Sequence, residues 1–153
     1  MPSREASGAA SVQPIDLGDS DQVQVGEPVI AVGSPLGLAG TVTEGIVSAR
    51  NRPVVVSESS DADAPTAYIN AIQTDAPINP GSSGGPLVDA GARVIGVNSA
   101  ILTFGASPNI GLGFAIPINQ VATIANLLIK NGKATYPVIG ASVQDGAVGV
   151  ELS

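Results

Sequence analysis

Nineteen glycines and twelve prolines are spread through 153 residues, and this punctuation limits the chain more than any other feature. Glycine weakens a helix interior, and proline removes a backbone donor and breaks one. The pattern therefore favours short strands joined by tight turns. Hydrophobic residues make up 44% of the chain against 12% charged, enough apolar side chain to build a core. At this length a single domain is expected.

Enrichment in β-branched residues marks the strands. They fall at Pro28–Val32, Thr41–Ala49, Val54–Ser57, Tyr68–Thr74, Pro86–Val88 running through a turn into Arg93–Ser99, and Gly113–Ile116. Gly33–Gly37, Ser57–Pro65 and Thr103–Gly111 connect them, and Asp89-Ala90-Gly91 sits where a hairpin turn is needed. One helix is predicted over Asn119–Asn131, where Val121, Ile124, Ala125 and Leu128 share a face. Asn119 is its expected N-cap and Gly132 its expected stop. The stretch from Tyr136 reads as the beginning of a further, undeveloped strand. Residues 1–14 read as a flexible lead-in without the apolar core of a secretory signal. These elements predict an all-β fold, an antiparallel barrel or sandwich with one C-terminal helix.

Several function classes are disfavoured at once. A net charge of −7 repels phosphate backbones, and two Tyr and two Phe are few for base stacking, so nucleic acid is not an expected partner. Every apolar run is interrupted well before the roughly 18 residues a membrane helix needs. Cysteine is absent, which removes disulfides, thiolate nucleophiles and Cys-based zinc sites. Histidine is absent too, and with it the commonest general base and metal ligand. No metal and no organic cofactor is implied.

One segment carries chemistry: Asn79-Pro80-Gly81-Ser82-Ser83-Gly84-Gly85-Pro86-Leu87. Three glycines around two serines let the backbone fold tightly and turn N–H groups inward, a nest able to hold an oxyanion beside a hydroxyl. Read alone, the same string is also an ordinary Gly/Ser turn before a strand. It fits G-x-S-x-G, but the nucleophile elbow of α/β-hydrolases needs a helix directly after the serine, and here a hairpin follows.

The surroundings extend the reading. Ile72 through Val88 closely resembles the active-serine segment of the HtrA (DegP-like) branch of trypsin-like serine proteases. Leu17–Asp21, Val25–Glu27, Gly33–Leu38, Thr41–Ser48, Val94–Ile101 and Gly111–Pro117 resemble the rest of that family's second barrel, in order. The resemblance implies a six-stranded antiparallel trypsin-like barrel over residues 15–134, with a closing helix. It implies that residues 135–153 lead toward a PDZ-type domain. By the same resemblance Ser83 matches the nucleophile, and the backbone N–H groups of Gly81 and Ser83 match the oxyanion hole. One such donor is typically worth about 10²–10³ in rate. Ile78, Ser99, Ala100 and Ile101 resemble positions that line the primary specificity pocket or pair with substrate backbone, although barrel packing explains any one of them equally well. Apolar Ile78 and Ile101 suggest a small or aliphatic residue on the acyl side of the cleaved bond. Ser82 departs from the family's usual Asn; its side chain is not the nucleophile, so the change is either tolerated or loosens the loop's hydrogen bonding. Asp75 and Asp89 have no imidazole to orient and are read as surface or turn residues.

A serine hydroxyl attacks poorly unless a base accepts its proton. In the resembled family the His and Asp of the triad come from the first barrel, so this chain reads as the second barrel alone and is expected to be inactive by itself. It is a truncated piece of a serine endopeptidase, a non-catalytic relative binding extended peptide along Asn98–Ile101, or a structural remnant packing against a first-barrel chain. A polypeptide substrate, and a first-barrel segment or a second copy, are the partners the resemblance implies. It also implies a place in the cell envelope or outside the cell. A barrel separated from its mate is expected to expose an apolar face.

Overall fold

The computed structural model describes residues 13–38, 40–56, 67–99, 111–135, 143–146 and 149–152. The predicted connection Ser57–Pro65 lies outside them, as does Thr103–Gly111 except for Gly111 itself. The chain divides into two compact units, the first ending at Thr123 and the second starting at Ile124.

In the first unit six strands close into an antiparallel barrel: β1 (Pro28–Gly33), β2 (Thr41–Val56), β3 (Ala67–Thr74), β4 (Pro86–Asp89), β5 (Val94–Asn98) and β6 (Gly113–Pro117). Around the barrel they run β1-β2-β3-β6-β5-β4. The side-chain alternation of a strand sorts β1 cleanly, with Val29 and Ala31 buried while Pro28 and Ile30 face out. Val23, Val29, Ala31, Val47, Ile72, Ala76, Ile78, Leu87, Ile95 and Ala115 form the central core. Each large aliphatic buried there contributes about 1.5–3 kcal/mol. A smaller cluster gathers Val54, Ala71 and Phe114, with Ile69 against it.

Two predicted strands, Thr41–Ala49 and Val54–Ser57, are one 16-residue strand. Its pairing with β3 slips between Val47 and Ala49 and again between Ala49 and Arg52. Asn51 takes a left-handed φ of 52° there, a conformation its short polar side chain tolerates. The strand bends through irregularities and continues, where the sequence reads as an interruption.

The helix α1 (Ile118–Asn131) begins one residue before its expected start, so Asn119 lies inside the first turn rather than capping it. The cap comes from far away in sequence: Ser20 Oγ accepts the Asn119 N–H at 3.2 Å. Asn119 Nδ2 donates to Asp19 Oδ1 at 2.7 Å. That bond, with the Asp21 N–H, holds the Asp19 carboxyl below the ordinary carboxylate range. In the second unit the helix stops as expected at Gly132, whose φ is +69° and whose N–H donates to Leu128 O. Beyond it, β7 (Val143–Gly146) and β8 (Gly149–Leu152) pair antiparallel from Val143↔Leu152 to Gly146↔Gly149. The tail is thus a two-stranded ladder, more than the opening of one strand. Among the described residues no helix is long and apolar enough to cross a membrane.

Candidate active site

Pro80 and Gly81 occupy the two central positions of a turn closed by the Ser82 N–H donating to Asn79 O at 2.8 Å. Gly81 has a φ of +97°, which a type II turn demands at its third position and glycine supplies without strain. A second turn follows at once, the Gly85 N–H donating to Ser82 O at 3.1 Å with Gly84 at a φ of +87°. Two successive turns sharing Ser82 put the two serines in opposite environments. Ser82 is buried at the base and Ser83 is exposed at the apex.

The double turn is held from two sides. The end of β1 approaches it so closely that a Cβ on Gly33 would lie 2.7 Å from Ser82 Cα, and the Ser34 N–H donates to Gly81 O at 3.1 Å. From β5, Asn98 O accepts the Gly84 N–H at 3.0 Å and its N–H donates to Gly85 O at 2.8 Å. Gly85 itself lies against the Val32 carbonyl, with no room for a side chain. Ser82 Oγ accepts the Asn79 N–H at 3.4 Å, a long bond that ties the start of the loop only weakly.

The approach to the loop is tied to β2. Thr43 Oγ1 donates to Pro77 O at 2.9 Å, and Asp75 Oδ1 accepts the Ile46 N–H at 2.7 Å. Asp75, read from sequence as a surface residue, is thus a clamp between β2 and the approach segment, and nothing in that segment's composition signals it. Ile78 is wholly buried in the central core, within reach of Gly113. Ser99 is half-buried and its N–H donates to Phe114 O at 2.9 Å. Ala100 and Ile101 lie outside the described residues. Asp89, on the far side of the hairpin, pairs with Arg93 at 2.8 Å. Burial alone would raise its carboxyl, but the Arg93 and Gly91 hydrogen bonds and the Arg93 charge hold it below the ordinary range. Its role is turn stabilisation, as read from the sequence. Among the described residues no group of three or more His, Cys, Asp or Glu side chains forms a metal site.

Away from the loop, the outer face of β1 and β2 leaves Ile30, Val42 and Ile46 exposed. A cavity of about 470 Å³ lies there, lined by Pro28, Val29, Ile30, Glu44, Gly45, Ile46 and Ala90.

A closed six-stranded antiparallel barrel that raises a serine on a glycine-rich double turn has the fold of the trypsin-like proteases. Residues 5–97 match the family model of the trypsin-like peptidase domain, and the chain belongs to that family. The relatives are of its HtrA and DegP-like branch. Serine protease PepD of Mycobacterium tuberculosis is 54% identical over 142 residues, covering 89% of this chain and 30% of that protein. The Do-like serine protease HtrB of Bacillus subtilis is 46% identical over 143 residues, covering 92% and 30%. Among solved structures, the HtrA-type protease AlgW with a decapeptide superposes with a TM-score of 0.69 at 32% identity, over 90% of this chain and 43% of that one. A serine endoprotease from Yersinia pestis gives 0.66 at 33% identity, over 88% and 42%. The chain therefore spans about 30% of the length of these curated relatives.

Proposed function

We propose that this chain is the nucleophile-bearing barrel of an HtrA-like serine endopeptidase that cleaves unfolded or extended polypeptide through an acyl-enzyme. Ser83 is the nucleophile, and the N–H groups of Gly81 and Ser83 receive the oxyanion. The observation that carries this reading is the double turn, which exposes Ser83 and buries its neighbour Ser82. In the first step Ser83 Oγ bonds to the scissile carbonyl carbon while its proton passes to an imidazole, and the carbonyl oxygen takes the negative charge. Collapse expels the amine, which takes that proton, and water then hydrolyses the ester to regenerate Ser83. The chain contains no histidine, so the imidazole and its carboxylate come from a first-barrel segment outside these residues. Without that segment the chain does not turn over peptide.

On this reading Ile78, Ser99, Ala100 and Ile101 are the residues that line the primary specificity pocket or pair with substrate backbone, and Ile78 does so from a wholly buried position. Residues 15–134 act as the barrel unit, with 1–14 leading in and 135–153 leading toward a PDZ-type domain. Two relatives, from Rickettsia prowazekii and Rickettsia conorii, are named as probable periplasmic endoproteases, which supports a place in the cell envelope. The missing imidazole also favours a second reading, a non-catalytic barrel that holds extended peptide without cutting it.

Supplying the chain with the first-barrel segment of a close relative tests both. The expected result is hydrolysis of an unfolded protein that disappears with Ser83→Ala, while the chain alone is silent. Peptide bound but never cleaved in the complemented form supports the second reading. Cleavage that survives Ser83→Ala refutes the first.

A further inference from the structure

We propose that Asn98 is the positioning residue of the Ser83 loop, acting through its side-chain amide on the end of β1 and the foot of the loop. The proposal rests on the reading of Ser83 as nucleophile and adds the residue that sets the geometry around it.

Asn98 ends a strand whose other residues are apolar or glycine (Val94-Ile95-Gly96-Val97), and only 1% of its surface is exposed. Its main chain already ties Gly84 and Gly85. The side chain adds a different pair of bonds, Nδ2 donating to Val32 O at 3.0 Å and to Pro86 O at 3.2 Å. One amide thus joins the strand beneath the loop to the residue where the loop ends. Its orientation is chemically forced, because a flipped amide would set Oδ1 against two carbonyl oxygens.

That choice leaves Oδ1 buried with no hydrogen-bond partner among the described residues. An orphaned buried acceptor costs stability, and a leucine of similar size would avoid the cost. What a leucine lacks is the doubly donating Nδ2. The polar side chain is therefore explained by the position of the two carbonyls it holds. Gly81 hangs from the Ser34 N–H, two residues beyond Val32, so a shift of Val32 moves the Gly81–Ser83 amides directly.

Amide hydrogen exchange on the 153-residue chain tests this with Asn98→Leu, and with Asn98→Ser if the leucine variant does not fold. The expected result is at least tenfold faster exchange at Ser34, Ser82, Gly84 and Gly85 relative to Val47 and Val94, whose N–H groups bond to Glu27 O and Asp16 O far from the loop. Equal change at all six amides, or none, overturns the proposal, since a merely structural residue moves the whole barrel together. In the complemented enzyme kcat is expected to fall about 10²-fold with KM nearly unchanged, the loss typical of a misplaced oxyanion donor. A loss confined to KM overturns it. The exchange readout is independent of catalysis. Local loosening seen where Ser83→Ala leaves cleavage intact supports Asn98 as the anchor while refuting Ser83 as the nucleophile.

Discussion

Gly33→Ala offers the sharpest test of how the loop is held. The new Cβ would lie 2.7 Å from Ser82 Cα, 2.9 Å from Ser82 Cβ and 3.0 Å from Ser82 Oγ. Carbon atoms in contact normally sit about 3.5–4.0 Å apart, so relief requires a movement of about 1 Å. Gly33 lies at the end of β1, hydrogen-bonded to β2, while the loop rests on it; the loop is the part that moves. Overpacking of this kind costs about 1–3 kcal/mol. That corresponds to a drop in Tm of about 3–10 °C for a chain of this size. A displacement of about 1 Å beside Ser83, the proposed nucleophile, is worth up to about 10²-fold in rate. Gly84→Ala is the control: nothing among the described residues lies within 4 Å of its Cβ, and the cost is that of placing alanine at a φ of +87°, about 1–2 kcal/mol. Urea unfolding of both variants, with kcat measured in the complemented enzyme, separates the two causes. Gly33→Ala should lose more rate than Gly84→Ala per unit of stability lost. If it retains wild-type rate, the close approach of β1 does not set the loop's position and the reasoning fails.

Three further outcomes are expected. Leu87→Ala empties a wholly buried position in the central core and should lower unfolding free energy by about 2–5 kcal/mol in urea titration, and a loss below 1 would contradict its placement. The lowered Asp89 pKa makes its bonds to Arg93 and Gly91 stabilising above the unfolded carboxylate value of about 3.9. The stability gap between wild type and Asp89→Asn should therefore stay level from pH 5 upward and narrow as pH falls through the folded-state value; a gap that widens in acid has the wrong sign. The isolated chain should self-associate in sedimentation velocity through the exposed Ile30, Val42 and Ile46, and Val42→Thr with Ile46→Thr should shift it toward monomer. A wild-type chain that stays monomeric at high concentration would contradict this.

Local chemistry made most of the barrel legible. The β-branched runs located every barrel strand, and the glycine- and serine-rich string around Ser83 marked a tightly folded loop. Legibility failed where the deciding partner is distant. Nothing between Ala49 and Val54 says that the strand continues, because continuity is set by pairing with β3 across a bulge. The helix is capped by Ser20, 99 residues away from Asn119, so the local candidate Asn119 was the wrong one. At the site, Ser83 and Gly81 stand out in sequence because their chemistry is local. Asp75 acts on an amide and Asn98 on carbonyls of other strands; Asn98 leaves the trace of a polar residue ending an apolar strand, and Asp75 leaves none.

The way the barrel shuts has a consequence for the chain as it is made. β4 meets β1 through three register pairs, Val29↔Asp89, Ile30↔Val88 and Ala31↔Leu87. The bond from Asn98 to Val32 crosses the same join, linking residues 66 positions apart. A nascent chain whose fifth strand is still inside the ribosome lacks the clasp that gives the serine its setting. The setting of Ser83 is therefore a property of the closed ring and not of the loop's own residues.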